Sequence, residues 1–230
     1  MKKYLSVILC LLMIFAMTAC GSNAGTEAPA ETPAAEQENG NDTNTDSSNV
    51  TMEQLLKVSE TEISEDFFFM SDAPGECVLA SYDGTEDLVY VPSQYDGQTV
   101  VSITKFSLAN DTKVKAIRFP DTVREIEEGA AGNNANLQVV YFGEGTKVIG
   151  EYAFLNCTAL YDVRLNDGLE RIEFGAFAGC DSLKSITIPA SVVDIPEDPF
   201  FTLSDLVIRG TAGSMAETIA NEYGYTFEAI

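Results

Sequence analysis

Eight positions in the middle of the chain carry side chains able to do recognition chemistry, and they recur at a fixed interval. Arg118, Tyr141, Arg164 and Thr187 lie 23 residues apart, and so do Lys115, Gln138, Tyr161 and Lys184. Four of the eight are basic, two are tyrosines and none is acidic, in a chain where 36 Asp and Glu stand against 13 Lys and Arg. A guanidinium fork grips carboxylate or sulfate with paired hydrogen bonds, and a tyrosine ring stacks on a sugar or a cation. Gathered on one face, these side chains suit an anionic or carbohydrate ligand. A solvated ladder, its cations balancing acids on adjacent loops, accounts for the same residues without any ligand.

Other chemistry is largely excluded. The chain has no histidine, which removes His-dependent hydrolase triads and most zinc sites. Cys10, Cys20, Cys77, Cys157 and Cys180 form an odd set with no CxxC pair. The densest acidic cluster, Asp83-Gly84-Thr85-Glu86-Asp87, lacks the loop pattern of an EF-hand and reads as a solvated turn. No acid sits inside an apolar run that would raise its pKa for paired-carboxylate catalysis. GxSxG, HExxH, P-loop and GxGxxG motifs are absent, and Gly143-Glu144-Gly145 lacks the third glycine and a following helix. The formal charge of −23 repels phosphate backbones. These observations point away from an enzyme, a resident metal or cofactor, and a nucleic-acid partner.

What must position the recurring residues is an internal repeat. Ile103, Ile126, Ile149, Ile172 and Ile195 are 23 residues apart. In the same register run Leu108, Ala131, Phe154, Phe177 and Phe200, then Asp111, Asn134, Cys157, Cys180 and Leu203, then Val114, Leu137, Leu160, Leu183 and Leu206. Ile117, Val140, Val163 and Ile186 follow, each with a second apolar residue two positions on, the alternation of a short half-buried strand. Pro120 and Pro189 close two of these strands, where a missing N–H ends a ladder at little cost. One such coil buries almost nothing alone, whereas stacked coils share a continuous core. The side chains between the inward positions then face outward together.

The segments from Gly150 to Leu160 and from Gly175 to Pro189, with Ala153-Phe154, Cys157 and Leu160 and then Ala176-Phe177, Cys180, Leu183 and Ile186-Thr187-Ile188-Pro189, resemble the BspA-like, Treponema-type leucine-rich repeat. The resemblance covers about residues 67 to 230. It implies a β-rich leucine-rich-repeat solenoid of about five 23-residue coils, with parallel strands on the concave face. It also implies that Cys157 and Cys180 are interior packing residues, although strands ~4.8 Å apart would permit a disulfide. Two departures matter. Ala130-Ala131 and Asn134 replace Ala-Phe and Cys, so the second coil is expected to be underfilled or irregular, and Asp198-Pro199-Phe200 lacks the Cys, as suits a terminal coil.

Both ends carry caps. Phe67 to Met70 and Cys77 to Ser81 read as a hairpin, and Leu88 to Pro92 as the first coil strand. Ser214-Met215-Ala216-Glu217 is a capping-box signature for a helix from Met215 to Tyr223, stopped by Gly224 and followed by Tyr225-Thr226-Phe227. A short helix near Met52 to Val58 has Thr51 and Gln54 as its box.

The N-terminus is an address. Lys2 and Lys3 precede an apolar run from Tyr4 to Met17, too short for the ~20 residues of a spanning helix, and Thr18-Ala19-Cys20-Gly21 resembles a bacterial lipobox. That resemblance implies lipidation of Cys20. From Gly21 to Asn49 the chain has no Lys, Arg, aromatic or branched aliphatic residue, the composition of a disordered acidic tether with a reach of roughly 30 Å. The expected organisation is a signal peptide at 1–19, the tether at 20–50, an N-terminal cap at 51–87, leucine-rich repeats at 88–210 and a C-terminal cap at 211–230. Resemblance to BspA-like proteins implies a lipid-anchored, non-enzymatic binding or adhesion protein on the extracellular face of a bacterial cell membrane. Its partner would be an extracellular protein or glycan, contacted through Lys115, Arg118, Tyr141, Tyr161, Arg164 and Lys184. Membrane contact would be through the lipid only. A structural or accessory subunit of a cell-envelope complex is the alternative.

Overall fold

The computed structural model of the chain describes residues 49–57, 66–111 and 113–230. The apolar leader, Cys20 and the tether as far as residue 48 lie outside the described residues. A short helix α1 (Met52–Leu56) comes first, followed by an antiparallel hairpin of β1 (Phe67–Ala73) and β2 (Glu76–Tyr82). The later coils contribute strands to two sides of the stack, the second side ending at β11. On one side lie β3 (Leu88–Tyr90), β6 (Ala116–Arg118), β8 (Val139–Tyr141), β10 (Asp162–Arg164), β12 (Ser185–Thr187), β13 (Val207–Gly210) and β14 (Thr226–Ala229). On the other lie β5 (Gln98–Ile103), β7 (Glu125–Ile126), β9 (Val148–Ile149) and β11 (Arg171–Ile172), with β4 (Gln94–Tyr95) paired to β5. Helix α2 (Met215–Tyr223) precedes β14.

Strands of successive coils pair in parallel and in steps of one repeat: Ala116 with Val139 and Val139 with Asp162 on the first side, Ile126 with Ile149 and Ile149 with Ile172 on the second. The first side holds seven rungs rather than five, because β3 and the strand after α2 extend the stack at either end. The hairpin joins the second sheet through β2, whose partner is β5. The isoleucines at 103, 126, 149 and 172 are fully buried, and Ile195, in the last coil, is partly buried against the core.

The second coil is not underfilled. Ala130 and Ala131 are fully buried and their backbone bonds are regular, Ala131 N–H donating to Ala153 O at 2.8 Å. The missing ring volume is supplied from the strand exits. Phe119 and Phe142 lie 5.5 Å apart there, and Phe142 meets Phe154 edge-on at 5.6 Å. Further along, the exits narrow to Leu165 and Ile188, and the bulk moves to the turn column, where Phe154, Phe177 and Phe200 stack at 5.4 and 5.8 Å. Total volume is conserved while its source shifts, which close packing tolerates.

The Asn134, Cys157 and Cys180 column has one task. Asn134 donates to Leu108 O at 2.6 Å, Cys157 to Ala131 O at 3.3 Å and Cys180 to Phe154 O at 3.3 Å, each reaching back one coil to a carbonyl of the preceding turn. The thiols are free and point the same way, so they are not bridged. Burial pushes the Cys157 thiol up to about 12 and the Cys180 thiol well above its ordinary value.

The turns between the two sides need left-handed residues at two points per coil. Phe106, Gly129, Tyr152 and Gly175 fill one and Asn110, Asn133, Asn156 and Gly179 the other, all with φ between 57° and 71°. Asn tolerates this region through its short polar side chain, whereas Phe106 and Tyr152 adopt it at a cost. At the C-terminal end α2 buries Ala216, Ile219 and Ala220, and Gly224 closes it at φ 81°. Its capping box does not form: the Ser214 hydroxyl makes no cap bond, Ser214 N–H donates to Thr211 O, and Glu217 accepts instead from Gly213 N–H at 2.6 Å, one residue ahead of the cap. The box at α1 is complete, Gln54 N–H donating to Thr51 Oγ1 and Thr51 N–H to Gln54 Oε1.

Candidate functional site

Within the sheet ordered β10-β8-β6-β3, the central residues Ile117 and Val140 point into the main core. Strand alternation therefore turns their neighbours outward, giving an outer column of Ala116, Val139, Asp162 and Ser185 beside the expected column of Arg118, Tyr141, Arg164 and Thr187. Ala116 and Val139 are nevertheless fully buried, in a second, smaller hydrophobic cluster whose third buried member is Leu55 of α1. Val50, Met52, Leu88 and Tyr141 pack around it. The chain's own residues 49–57 thus lie across the face as a strap, rather than at the end of the stack with the hairpin.

The side chains picked out by spacing hold this strap by its backbone. Val50 N–H donates to Gln138 Oε1 at 2.7 Å, and the Tyr161 hydroxyl donates to Val50 O. At the other end Arg118 Nη1 donates to Leu56 O at 3.4 Å, while its guanidinium lies 5.1 Å from the Tyr90 ring centroid and 5.6 Å from that of Tyr141. Burial, and then the neighbouring Asp162, raises the Tyr161 pKa. Full burial of one leucine is worth roughly 1.5–3 kcal/mol, and a cation over a ring adds about 0.5–1 kcal/mol at an exposed site.

Of the six expected contact residues, Arg118, Tyr141 and Tyr161 converge on the strap. Lys115 pairs instead with Asp87 at 2.7 Å, so the acidic turn at 83–87 is partly neutralised, and Glu86 of the same turn accepts from the Tyr82 hydroxyl at 2.5 Å. Lys184 turns back to Asp181 O at 3.0 Å. Arg164 is exposed and lines a cleft of about 630 Å³ between β10 and β12. The strand ladder is interrupted there, β10 pairing with β8 and β12 with β13. Across the same gap the coils stay joined at the turn, where Phe154 N–H donates to Ala176 O at 2.8 Å, and on the opposite side through the Arg171–Asp194 bridge. The cleft's exposed apolar surface comes from Val163, Leu165 and Ile230, its polar rim includes Asp162 and Arg164, and Met52 of the strap borders it. Burial raises the Asp162 pKa, and the nearby Arg164 draws it part of the way back.

The feature missed in the sequence is the Ala116, Val139 column. Two apolar residues at outward strand positions are a signal that something covers them, and it was available from the alternation alone.

Fold and site together define a stacked-coil repeat protein with one covered and one open face. The chain belongs to the BspA-type leucine-rich repeat proteins: the BspA type Leucine rich repeat region matches residues 94–207 in six copies. Among solved structures the chain is similar to a leucine-rich repeat protein of T. pallidum, with TM-score 0.60 and 23% identity over 64% of this chain and 69% of that one. It is also similar to a leucine rich cell surface protein from Faecalibacterium prausnitzii, with TM-score 0.54 and 26% identity over 66% of this chain and 45% of that one. A leucine-rich repeat protein from Bacteroides ovatus matches with TM-score 0.56 and 30% identity over 64% of this chain and 40% of that one. The chain therefore spans less than half the length of the latter two. No curated protein matches it. Among the described residues no helix is long and apolar enough to cross a membrane.

Proposed function

We propose that this is a non-enzymatic binding protein, lipid-anchored through Cys20 and displayed on the cell surface, whose β6-β8-β10 face contacts an extracellular protein. The observation that carries the reading is that this face already holds a peptide: Gln138, Tyr161 and Arg118 bond main-chain groups of residues 49–57 while Leu55 fills the platform of Ala116 and Val139. Support for surface display comes from the lipobox-like Cys20 context and from the F. prausnitzii relative, which is described as a cell surface protein. A glycan is the weaker candidate, since the tyrosines and Arg118 are engaged with one another and with backbone rather than presented as open stacking platforms.

The test is an array of extracellular-matrix proteins and glycans probed with the full-length protein and with a variant carrying Arg118→Glu, Arg164→Glu and Lys184→Glu. Binding to a protein ligand that the variant loses, with an unchanged unfolding midpoint, is the expected result. Equal binding by both proteins removes this face from the function. Recovery of one stoichiometric cell-envelope partner in place of array ligands would favour the accessory-subunit reading.

A further inference from the structure

We propose that residues 49–57 are an internal ligand, and that the face beneath them takes from its protein partner a short amphipathic peptide presenting the same groups. Those groups are one leucine-like side chain for the Ala116 and Val139 platform, flanked by main-chain N–H and C=O for Gln138, Tyr161 and Arg118. The inference rests on the reading of this face as the contact surface; it adds the class of ligand and the means by which access is controlled.

Three observations carry it. Recognition of the strap is largely of backbone: its bonds to Gln138, Tyr161 and Arg118 all go to main-chain atoms of Val50 and Leu56, and a single strap side chain, Leu55, is fully buried. Such a site accepts any peptide with an apolar residue in the right place. The strap is also intrinsically weak. A five-residue helix lies far below the length at which an isolated helix is stable in water, and its exposed Glu53–Lys57 pair adds little. It stays docked because its attachment to the same chain gives it an effective concentration in the millimolar range, an advantage that a tighter external peptide overcomes. Finally, the strap covers only part of the available surface. The cleft between β10 and β12 begins at Met52 and offers Val163, Leu165 and Ile230 as apolar surface and Arg164 at its rim. A longer peptide continuing past the position of Met52 gains contacts the strap does not make, and so has a route to displace it.

The probe is a labelled peptide of residues 49–57 titrated onto the full-length protein. In the wild type the attached strap competes, so the peptide binds weakly; in a Leu55→Glu protein the strap is released, and affinity should rise by about tenfold or more. A peptide carrying the same Leu55→Glu change should bind neither protein. A Val139→Glu protein should lose hydrogen-exchange protection in α1 without gaining peptide binding, because the platform itself is spoiled. Equal affinity of wild type and Leu55→Glu protein, or no binding to the latter while its unfolding midpoint is unchanged, overturns the proposal. So does a wild-type dimer that Leu55→Glu dissolves, which would make the strap a ligand for a second copy. A tenfold gain alongside a blank ligand array would sink the surface-contact function while leaving the strap as an internal ligand.

Discussion

The same coils present two outward faces of opposite character. On the β6-β8 face the outward residues Ala116 and Val139 are small, apolar and fully buried, and the polar residues beside them bond a segment 62 to 111 positions away in sequence. On the β7-β9-β11 side the outward strand residues are Glu125, Val148 and Arg171, and the charges on and beside these strands pair with their own neighbours: Lys105 with Glu128 at 2.8 Å, Lys147 with Glu170 at 3.0 Å and Arg171 with Asp194 at 2.9 Å. Partial burial first, and then the nearby Glu127 and Glu173, raise the Glu125 pKa on this side. Both faces rest on one core. The inward columns decide that there is a stack, and the outward columns decide whether each side of it meets water or chain.

A shared core predicts a shared failure. Phe177 is fully buried and stacked between Phe154 and Phe200. Phe177→Ala should cost about 3–5 kcal/mol, read as a drop in urea midpoint, because the rings on either side are held too rigidly to close the cavity. Probes placed on the two faces should report one coincident transition. Loss of structure on one face at a lower denaturant concentration would break the comparison, since it would mean that each face has its own core.

The turns that connect the faces give the next largest effect. Burial raises the pKa of the Cys157 thiol to about 12 in the folded chain, while in the unfolded chain it ionises near the ordinary thiol value of 9.0. Between those values the native state holds a proton that the unfolded state has lost, so stability falls as pH rises, by up to about 1.4 kcal/mol per unit from this group. Cys157→Ala should flatten the alkaline decline relative to wild type in urea titrations at pH 9 to 11. An identical slope in the two proteins would mean that Cys157 is not sealed within the stack as its hydrogen bond to Ala131 O implies.

How much of this was legible follows from the same division. The inward columns and the strand side were readable because a residue of one type every 23 positions can satisfy only a stacked core, and the hairpin and the C-terminal helix were readable from their own turn and stop signals. The exchange of ring volume between Ala131 and the pair Phe119 and Phe142 was not readable, because it depends on which columns touch across the coil. Neither was the strap, whose docking joins a face to a segment with no periodic relation to it. Spacing did place Arg118, Tyr141 and Tyr161 together on one face, and Lys115 and Lys184 fell in the same columns. What separates these is local: Asp87 lies within reach of Lys115, and Asp181 O within reach of Lys184. Residue type and period carry no information about such neighbours.

The smallest expected effect is the sharpest test of the contrast between the faces. Arg171 pairs with Asp194 at 2.9 Å and with Glu173 at 3.1 Å, with side chains 41%, 48% and 27% exposed, on a face where solvent screens the attraction. Arg171→Ala should therefore change stability by no more than about 1 kcal/mol, and the difference should shrink further in high salt. Gln138→Ala on the opposite face removes a neutral acceptor from Val50 N–H, so its effect should be insensitive to salt and confined to hydrogen-exchange protection of the strap, with the global urea midpoint unchanged. If Arg171→Ala proves salt-independent, or Gln138→Ala shifts the global midpoint, then the open face is not merely solvated and the strap is not merely docked. The two outward surfaces would then have to be counted as parts of the core that carries them.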